Sequence, residues 1–359
     1  MVSRVTSRPP KPGIVPLRPL LFGEVLDGAF QTVRRNPASM LGSALLGQCV
    51  SLLLTAALTS GSADLLARLE GAGSRRLNSD ADSSALLGPA LGLFTGGLGA
   101  WMMSTVLLTI LTGIMAVPAS RASLNRKTGF KQMWVLARHR VLALTGLSLL
   151  LLLVPLLPSG LVFAVLLASF ASTSPALIIL VFPLALGAGV VIVWLAIKFL
   201  VAPAAVAVEE VGVIDALRRS WSLTTANWWR IFGIVLVASL IASLISLVIQ
   251  LPITIAAGGI SSVVTPHAGA EQQSNTDLLL KIVSMVVGGL VGALGFAFRS
   301  AASALVYLDL RMRRDGLDVE FQRMLETGSD PDGVPGRRLP PRRAPGGWQQ
   351  GPGMGFPTG

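Results

Sequence analysis

The sequence predicts an all-α polytopic membrane protein: six transmembrane helices arranged as three hairpins, each preceded by a cytoplasmic amphipathic helix. Three observations predict it. The chain is 52% hydrophobic and 13% charged, with a mean hydropathy of +0.69, whereas soluble domains carry about 25% charged residues and need them to cover their surface. Six runs supply the roughly 20 apolar residues that a spanning helix requires. Lys and Arg alternate in density between successive connections, twenty-three on one side against three on the other. By the positive-inside rule that imbalance puts both termini in the cytoplasm.

The elements follow in order. Residues 1–15 are basic and Pro-rich, with no apolar core and no small-residue cleavage site. No cleavable signal peptide is expected there, and the first apolar run reads as an uncleaved signal-anchor. The membrane domain is expected over 16–320, with spans at about 39–60, 85–117, 141–170, 175–208, 231–258 and 278–308. Pro155 and Pro158 fall in the third span, Pro183 and Pro203 in the fourth, and Pro252 in the fifth. Each removes a helical N–H and invites a kink. Spans of about 30 residues exceed the hydrocarbon thickness and must tilt, kink or project past it. Residues 321–359 are rich in Gly, Pro and Arg, cannot bury a core, and are expected to be a disordered cytoplasmic tail.

The stretches before spans one, three and five share a pattern. A glycine lies just inside each span: Gly42, Gly146 and Gly233. Twelve residues upstream lies an aromatic (Phe30, Trp134, Trp221), and sixteen upstream an apolar residue (Leu26, Phe130, Leu217). Four residues apart, these two share a helical face. On the exit side, Ala116-Val117-Pro118-Ala119 parallels Val201-Ala202-Pro203-Ala204. The pattern fits either a true internal duplication or an architectural rule met three times. The third copy, EEVGVIDALRRSWSLTTANWWRIF at 209–232, is the best defined. At 100° per residue, Val213, Ile214, Leu217 and Trp221 fall in one quarter-turn arc, opposite Asp215, Arg218, Arg219 and Ser222. That is a helix lying in the interface plane. Trp134, Arg218, Arg219, Trp221, Trp228, Trp229 and Arg230 are therefore candidate contacts for lipid or a protein partner, the indoles at headgroup level.

Small residues recur every fourth position in span two (Gly88, Gly92, Gly96, Ala100, Ser104) and in span six (Ser284, Gly288, Gly292). Such ridges let helix backbones approach closely, within the chain or between protomers. Chemistry is harder to find. The two histidines, His139 and His267, lack ligand-spaced companions, and Cys49 is the lone cysteine. No metal site, cofactor or catalytic residue is expected, and no nucleic acid partner. The candidate polar intramembrane site is Lys198 in span four with Arg299 in span six, because ionisable groups at depth are costly and default to function. For Lys198 the alternative is snorkelling to the headgroups; for Arg299 it is an interfacial anchor. No Asp or Glu lies mid-span, which disfavours a proton-coupled pump.

Three segments, PLRPLLFGEVLDGAFQTVRRNP, VEEVGVIDALRRSWSLTTANWWRIFGI and ALVYLDLRMRRDGLDVE, together resemble the signature segments of a group of actinobacterial integral membrane proteins. That group is similar to the membrane domain attached to some glycerophosphoryl diester phosphodiesterases. The resemblance covers roughly Pro16 to Glu320 and implies six helices in a bacterial plasma membrane. In the phosphodiesterases the activity belongs to a separate soluble barrel, for which the tail here leaves no room, so no phosphodiesterase activity is expected. The reading is a non-enzymatic membrane protein that binds or organises lipids or partner proteins at the cytoplasmic leaflet, as a monomer or homo-oligomer. The alternative is a transporter or exporter of a small or amphiphilic substrate.

Overall fold

The computed structural model describes residues 13–60, 80–172, 175–264, 270–328 and 332–337. Its elements are α1 (Phe22–Arg35), α2 (Pro37–Thr59), α3 (Asp80–Ser123) and α4 (Phe130–Ala137), which runs through a single 3-10 turn into α5 (Val141–Ser172). Then follow α6 (Pro175–Phe199), α7 (Ala202–Val208), α8 (Val213–Thr224), α9 (Trp228–Val264), α10 (Ala270–Asp315) and α11 (Leu317–Thr327). Among the described residues there is no strand, and six helical stretches are long and apolar enough to cross a membrane. The protein is an all-α, multi-pass membrane protein. Because α3 and α10 have 44 and 46 residues, at about 1.5 Å per residue each is roughly twice as long as the hydrocarbon is thick. Their ends must stand outside it.

The hairpins are α2–α3, α5–α6/α7 and α9–α10, and the short helices α1, α4 and α8 precede them. Each short helix packs on the first span of another hairpin, in cyclic order: α4 on α2, α8 on α5, and α1 on α9. The glycines of the repeated pattern mark these contacts. A Cβ placed on Gly42 would lie 3.4 Å from the Phe130 ring, one on Gly146 3.4 Å from Val213, and one on Gly233 3.5 Å from the Phe22 ring. The three units therefore close into a pseudo-threefold ring. Inside it, the ends of the three second spans meet, and the residues there are small. Ala116, Val117 and Ala119, the whole of Ala202–Val208, and Ala301, Ala302 and Ala304 are buried. Three helices can share an axis only if their facing side chains are short.

Three expectations are corrected. The fourth span is not one helix over 175–208, because α6 ends at Phe199 and α7 begins at Ala202. Pro203 cannot donate to the carbonyl of residue 199, and its ring crowds that carbonyl. At the N-terminus, Ile14 and Val15 are buried and the Ile14 N–H donates to Ala122 O at 3.3 Å, so the packed domain starts at 13 rather than 16. At the C-terminus, order extends past 320. Leu317 and Phe321 bury the apolar side of α11, which ends at Thr327, and Val334 returns to the core. Two buried guanidiniums need acceptors there, and backbone carbonyls supply them. Arg121 Nη1 donates to Asp332 O and Gly333 O at 2.7 and 2.6 Å, and Arg311 Nη1 donates to Gly336 O at 2.5 Å. Residues 1–12 and 338–359 lie outside the described residues.

A clamp holds the N-terminal segment to α10. Asp309, 1% exposed, accepts from the Leu20 N–H at 2.7 Å and from Arg313 Nε at 3.0 Å, and it pairs with Arg230. Arg230 and Arg313 also donate to Leu20 O. A second cluster joins α8 to α10: buried Glu209 accepts from Tyr307 Oη at 2.9 Å and Arg219 Nε at 3.2 Å, while Arg311 Nε lies 3.5 Å away. A buried carboxylate is tolerable only with such partners.

Candidate functional site

The break in span four builds the site. Where α6 stops, the Lys198 carbonyl has lost its helical donor, and helix ends must find other partners. Ser220 Oγ and Thr224 Oγ1 of α8 donate to it at 2.7 and 3.4 Å. This docking rolls α8 by about a quarter turn from the orientation its apolar arc predicts. The face buried is Ala216, Ser220, Leu223 and Thr224. Val213 and Leu217 are half-buried at its edge, while Ile214 and Trp221 are left exposed.

The Lys198 side chain is 6% exposed. Its ammonium donates to Thr225 Oγ1 at 3.2 Å and lies 4.9 Å from the Trp221 ring centroid and 5.8 Å from that of Trp194. The two indoles meet edge to face at 5.4 Å, and Phe199 backs Trp221 at 5.8 Å. Cation–π contacts are worth from about 0.5 kcal/mol at exposed sites to about 2 kcal/mol when desolvated, and with both indoles part-exposed these offset part of the cost of burying the charge. They do not neutralise it. An ammonium has three donors, and one hydroxyl takes one of them. Beside it opens a cavity of about 630 Å³ lined by Trp194, Lys198 and residues 225–230. Trp228, in its wall, carries a buried indole N–H with no acceptor. A buried cation, a hydroxyl and unspent donors around one cavity make an anion-binding set.

The remaining candidates are distributed as follows. Trp228, Trp229 and Phe232 form an aromatic cluster at the start of α9, with Trp229 78% exposed. Trp134 is half-buried against Phe130 and the core. Arg219 is paired with Glu209 and Asp315, and Arg230 with Asp309, so both spend their charge inside the protein. Arg218 is exposed. Lys198 and Arg299 are not brought together: none of the residues around the ammonium recurs beside the guanidinium, which lies against Gly295. In the small-residue ridges, a Cβ on Gly96 would lie 2.1 Å from Leu58 O, and Ser51 Oγ donates to Ser104 Oγ at 2.6 Å, so span two mates with α2 of the same chain. Gly288 faces Gln250 and Gly292 faces Gln48. Gly92 is exposed, and the surroundings of Gly88 lie outside the described residues.

Residues 21–310 match a domain of unknown function (DUF7847). The chain belongs to that family. No curated protein and no solved structure matches it. The DUF7847 segment takes in five of the six apolar stretches whole and the sixth as far as residue 310, with the ring of surface helices, the Lys198 cage and the Asp309 end of the clamp. In this DUF7847 protein, sequence reasoning found Lys198 but missed its partners. Trp194 was within reach, since it stands four residues before Lys198 on the same helical face. Thr225 was not, because it arrives from another element 27 residues on.

Proposed function

We propose that this protein is a non-enzymatic membrane protein that binds anionic lipid headgroups at the cytoplasmic leaflet of a bacterial plasma membrane. The observation that carries the reading is the ammonium of Lys198, nine-tenths buried, with unspent donors facing a cavity of about 630 Å³. A phosphate or phosphodiester supplies the missing acceptors and the missing charge. Trp228 and Trp229 border the cavity, at the depth where indoles settle in bilayers. The exposed edge of α8, Ile214, Arg218 and Trp221, offers apolar and basic contacts for the surrounding lipid. The three basic surface helices support a cytoplasmic placement of this end, with both termini on the same side.

One observation favours a second reading, transport of the same anion. Binding sites in transporters often lie at interrupted helices, and the α6–α7 break adjoins Lys198. Titration of the purified protein in neutral detergent with phosphatidylglycerol and phosphatidylcholine, read by tryptophan fluorescence, tests the first reading. Phosphatidylglycerol should bind more tightly, and Lys198→Gln should weaken it at least tenfold while leaving phosphatidylcholine unchanged. Equal affinity of parent and variant for phosphatidylglycerol refutes it. Lipid movement between leaflets of proteoliposomes, absent in Lys198→Gln, would favour transport.

A further inference from the structure

The pseudo-threefold ring gives Lys198 and Arg299 corresponding places. Each stands on the second span of its hairpin and folds back beside the residue four before it. The Lys198 ammonium is 5.8 Å from the Trp194 centroid, and Arg299 Nη1 is 3.7 Å from where a Cβ on Gly295 would lie. Each also borders the surface helix of the next unit in the ring. For Lys198 that helix is α8, through Trp221 and Thr225. For the Arg299 segment it is α1, whose Phe30 and Arg34 share a cavity with Gly295 and Phe298. The registers agree: Trp221 and Phe30 lie twelve residues before Gly233 and Gly42, and Thr225 and Arg34 lie eight before them.

The third place falls to Gly113, five residues before Pro118 as Lys198 is five before Pro203. It carries no charge and is filled, since a Cβ there would lie 2.5 Å from Leu144 Cδ2 and 3.0 Å from Pro203 O. Thus one socket is plugged, one holds a caged cation, and one is open. The open socket differs from the caged one by the loss of an indole: Trp194 has Gly295 as its counterpart. In its place is a cavity of about 370 Å³ between α1, α2, α9 and α10, walled by Val33, Leu41, Ile241, Ile245 and Leu294.

We propose that this open socket seats one anionic phospholipid, with an acyl chain in the apolar groove and the phosphate at Arg299 and Arg34. Charge identifies the occupant. Neither guanidinium has a carboxylate, hydroxyl or carbonyl partner among the described residues, and both are exposed. An arginine ten residues in from Asp309 along α10 is costly without an anion. The groove beside it, in which Arg34 is the charged lining residue, otherwise offers apolar wall to a lipid chain, and Ile241, Ile245 and Leu294 are exposed on it. The inference shares with the Lys198 pocket the premise that the protein binds anionic lipid, and the experiment separates the two.

The experiment counts phosphatidylglycerol molecules retained by the intact protein in native mass spectrometry, with phosphatidylcholine as the neutral control. The parent should retain two phosphatidylglycerols. Arg299→Gln and, independently, Ile245→Trp should each retain one, with at least a tenfold loss of affinity at the lost site. Arg299→Lys should keep two. Ile245 is 42% exposed, so the tryptophan fills the groove without entering the core, and an unchanged melting temperature confirms folding. Retention of two by either Arg299→Gln or Ile245→Trp overturns the proposal, as does equal retention of phosphatidylcholine. If the parent and Arg299→Gln each retain one while Lys198→Gln retains none, only the Lys198 pocket stands. If the parent and Lys198→Gln each retain one while Arg299→Gln retains none, the open socket stands and the Lys198 reading falls.

Discussion

Replacing Asp309 with Asn should release the N-terminal segment without unfolding the bundle. The carboxylate holds three groups at once: the Leu20 N–H at 2.7 Å, Arg313 at 3.0 Å and Arg230. Asparagine keeps the shape and one acceptor, enough for the Leu20 N–H, but loses both charge-assisted pairs. Hydrogen bonds to charged groups are worth about 1.5–3 kcal/mol each. Arg230 and Arg313 are 26% and 32% exposed, so solvent screening places each near or below the lower bound. The expected loss is about 2–3 kcal/mol, and it reaches the Leu20 segment because the two arginines that the carboxylate holds in place are the donors to Leu20 O. At 1.4 kcal/mol per tenfold, the open form should become roughly 30- to 150-fold more populated. The Leu20 N–H reports that opening, because it is buried and bonded to Asp309 in the closed form. Where opening and reclosing are fast relative to chemical exchange, the amide exchange rate follows the open population. Hydrogen exchange at Leu20 in the detergent-purified variant should therefore accelerate by that factor, and the double variant with Arg230→Ala should be non-additive. Unchanged exchange at Leu20, or strict additivity, would show that the clamp holds nothing.

Two more predictions rest on single contacts. Burial pushes the Glu210 carboxyl up, but hydrogen bonds with His139 and Arg140 and the charge of Arg337 outweigh it and hold its pKa below the ordinary 4.5. A depressed carboxyl contributes stability above its unfolded pKa and loses it as pH falls through the folded value. Glu210→Gln should thus destabilise the protein at pH 7, by less than about 1 kcal/mol for so solvent-screened a cluster, and the difference should shrink as pH falls below 4.5; a difference in melting temperature that stays constant through that range counts against the pairing. Gly96→Val places a side chain where a Cβ would already lie 2.1 Å from Leu58 O. Overpacking of this kind costs about 1–3 kcal/mol, so the variant should melt lower than Gly97→Val, whose site is open, and equal melting would refute the close packing of α2 on α3.

Much of the fold was legible because its signals are local. Apolar run length exposes the six spans, and aromatic spacing before Gly42, Gly146 and Gly233 exposes the three surface helices. What escaped depends on contacts between distant segments. Leu20 and Asp309 are 289 residues apart, and no periodicity links them. The roll of α8 follows from a carbonyl left open at Lys198, which in turn depends on Pro203 breaking its helix. Pro118, its counterpart in the repeat, sits within the continuous helix α3. The same motif thus has two outcomes, decided by packing that the motif does not contain.

The ring also gives a criterion for where function resides. A contact repeated three times is under one packing constraint, and Gly42, Gly146 and Gly233 satisfy it identically, each passing a side chain of another unit's surface helix. At the sockets the constraint is the same but the residues differ: Gly113, Lys198 and Arg299. Packing alone would be met by Gly113 and its leucine plug in every unit, at no electrostatic cost. Burying an ammonium under two indoles, and leaving a guanidinium beside an open apolar groove, both cost free energy that the scaffold does not require. The departures from threefold symmetry are therefore the residues that stability does not explain, and both are cations set where the anionic lipid proposed above would supply the missing charge.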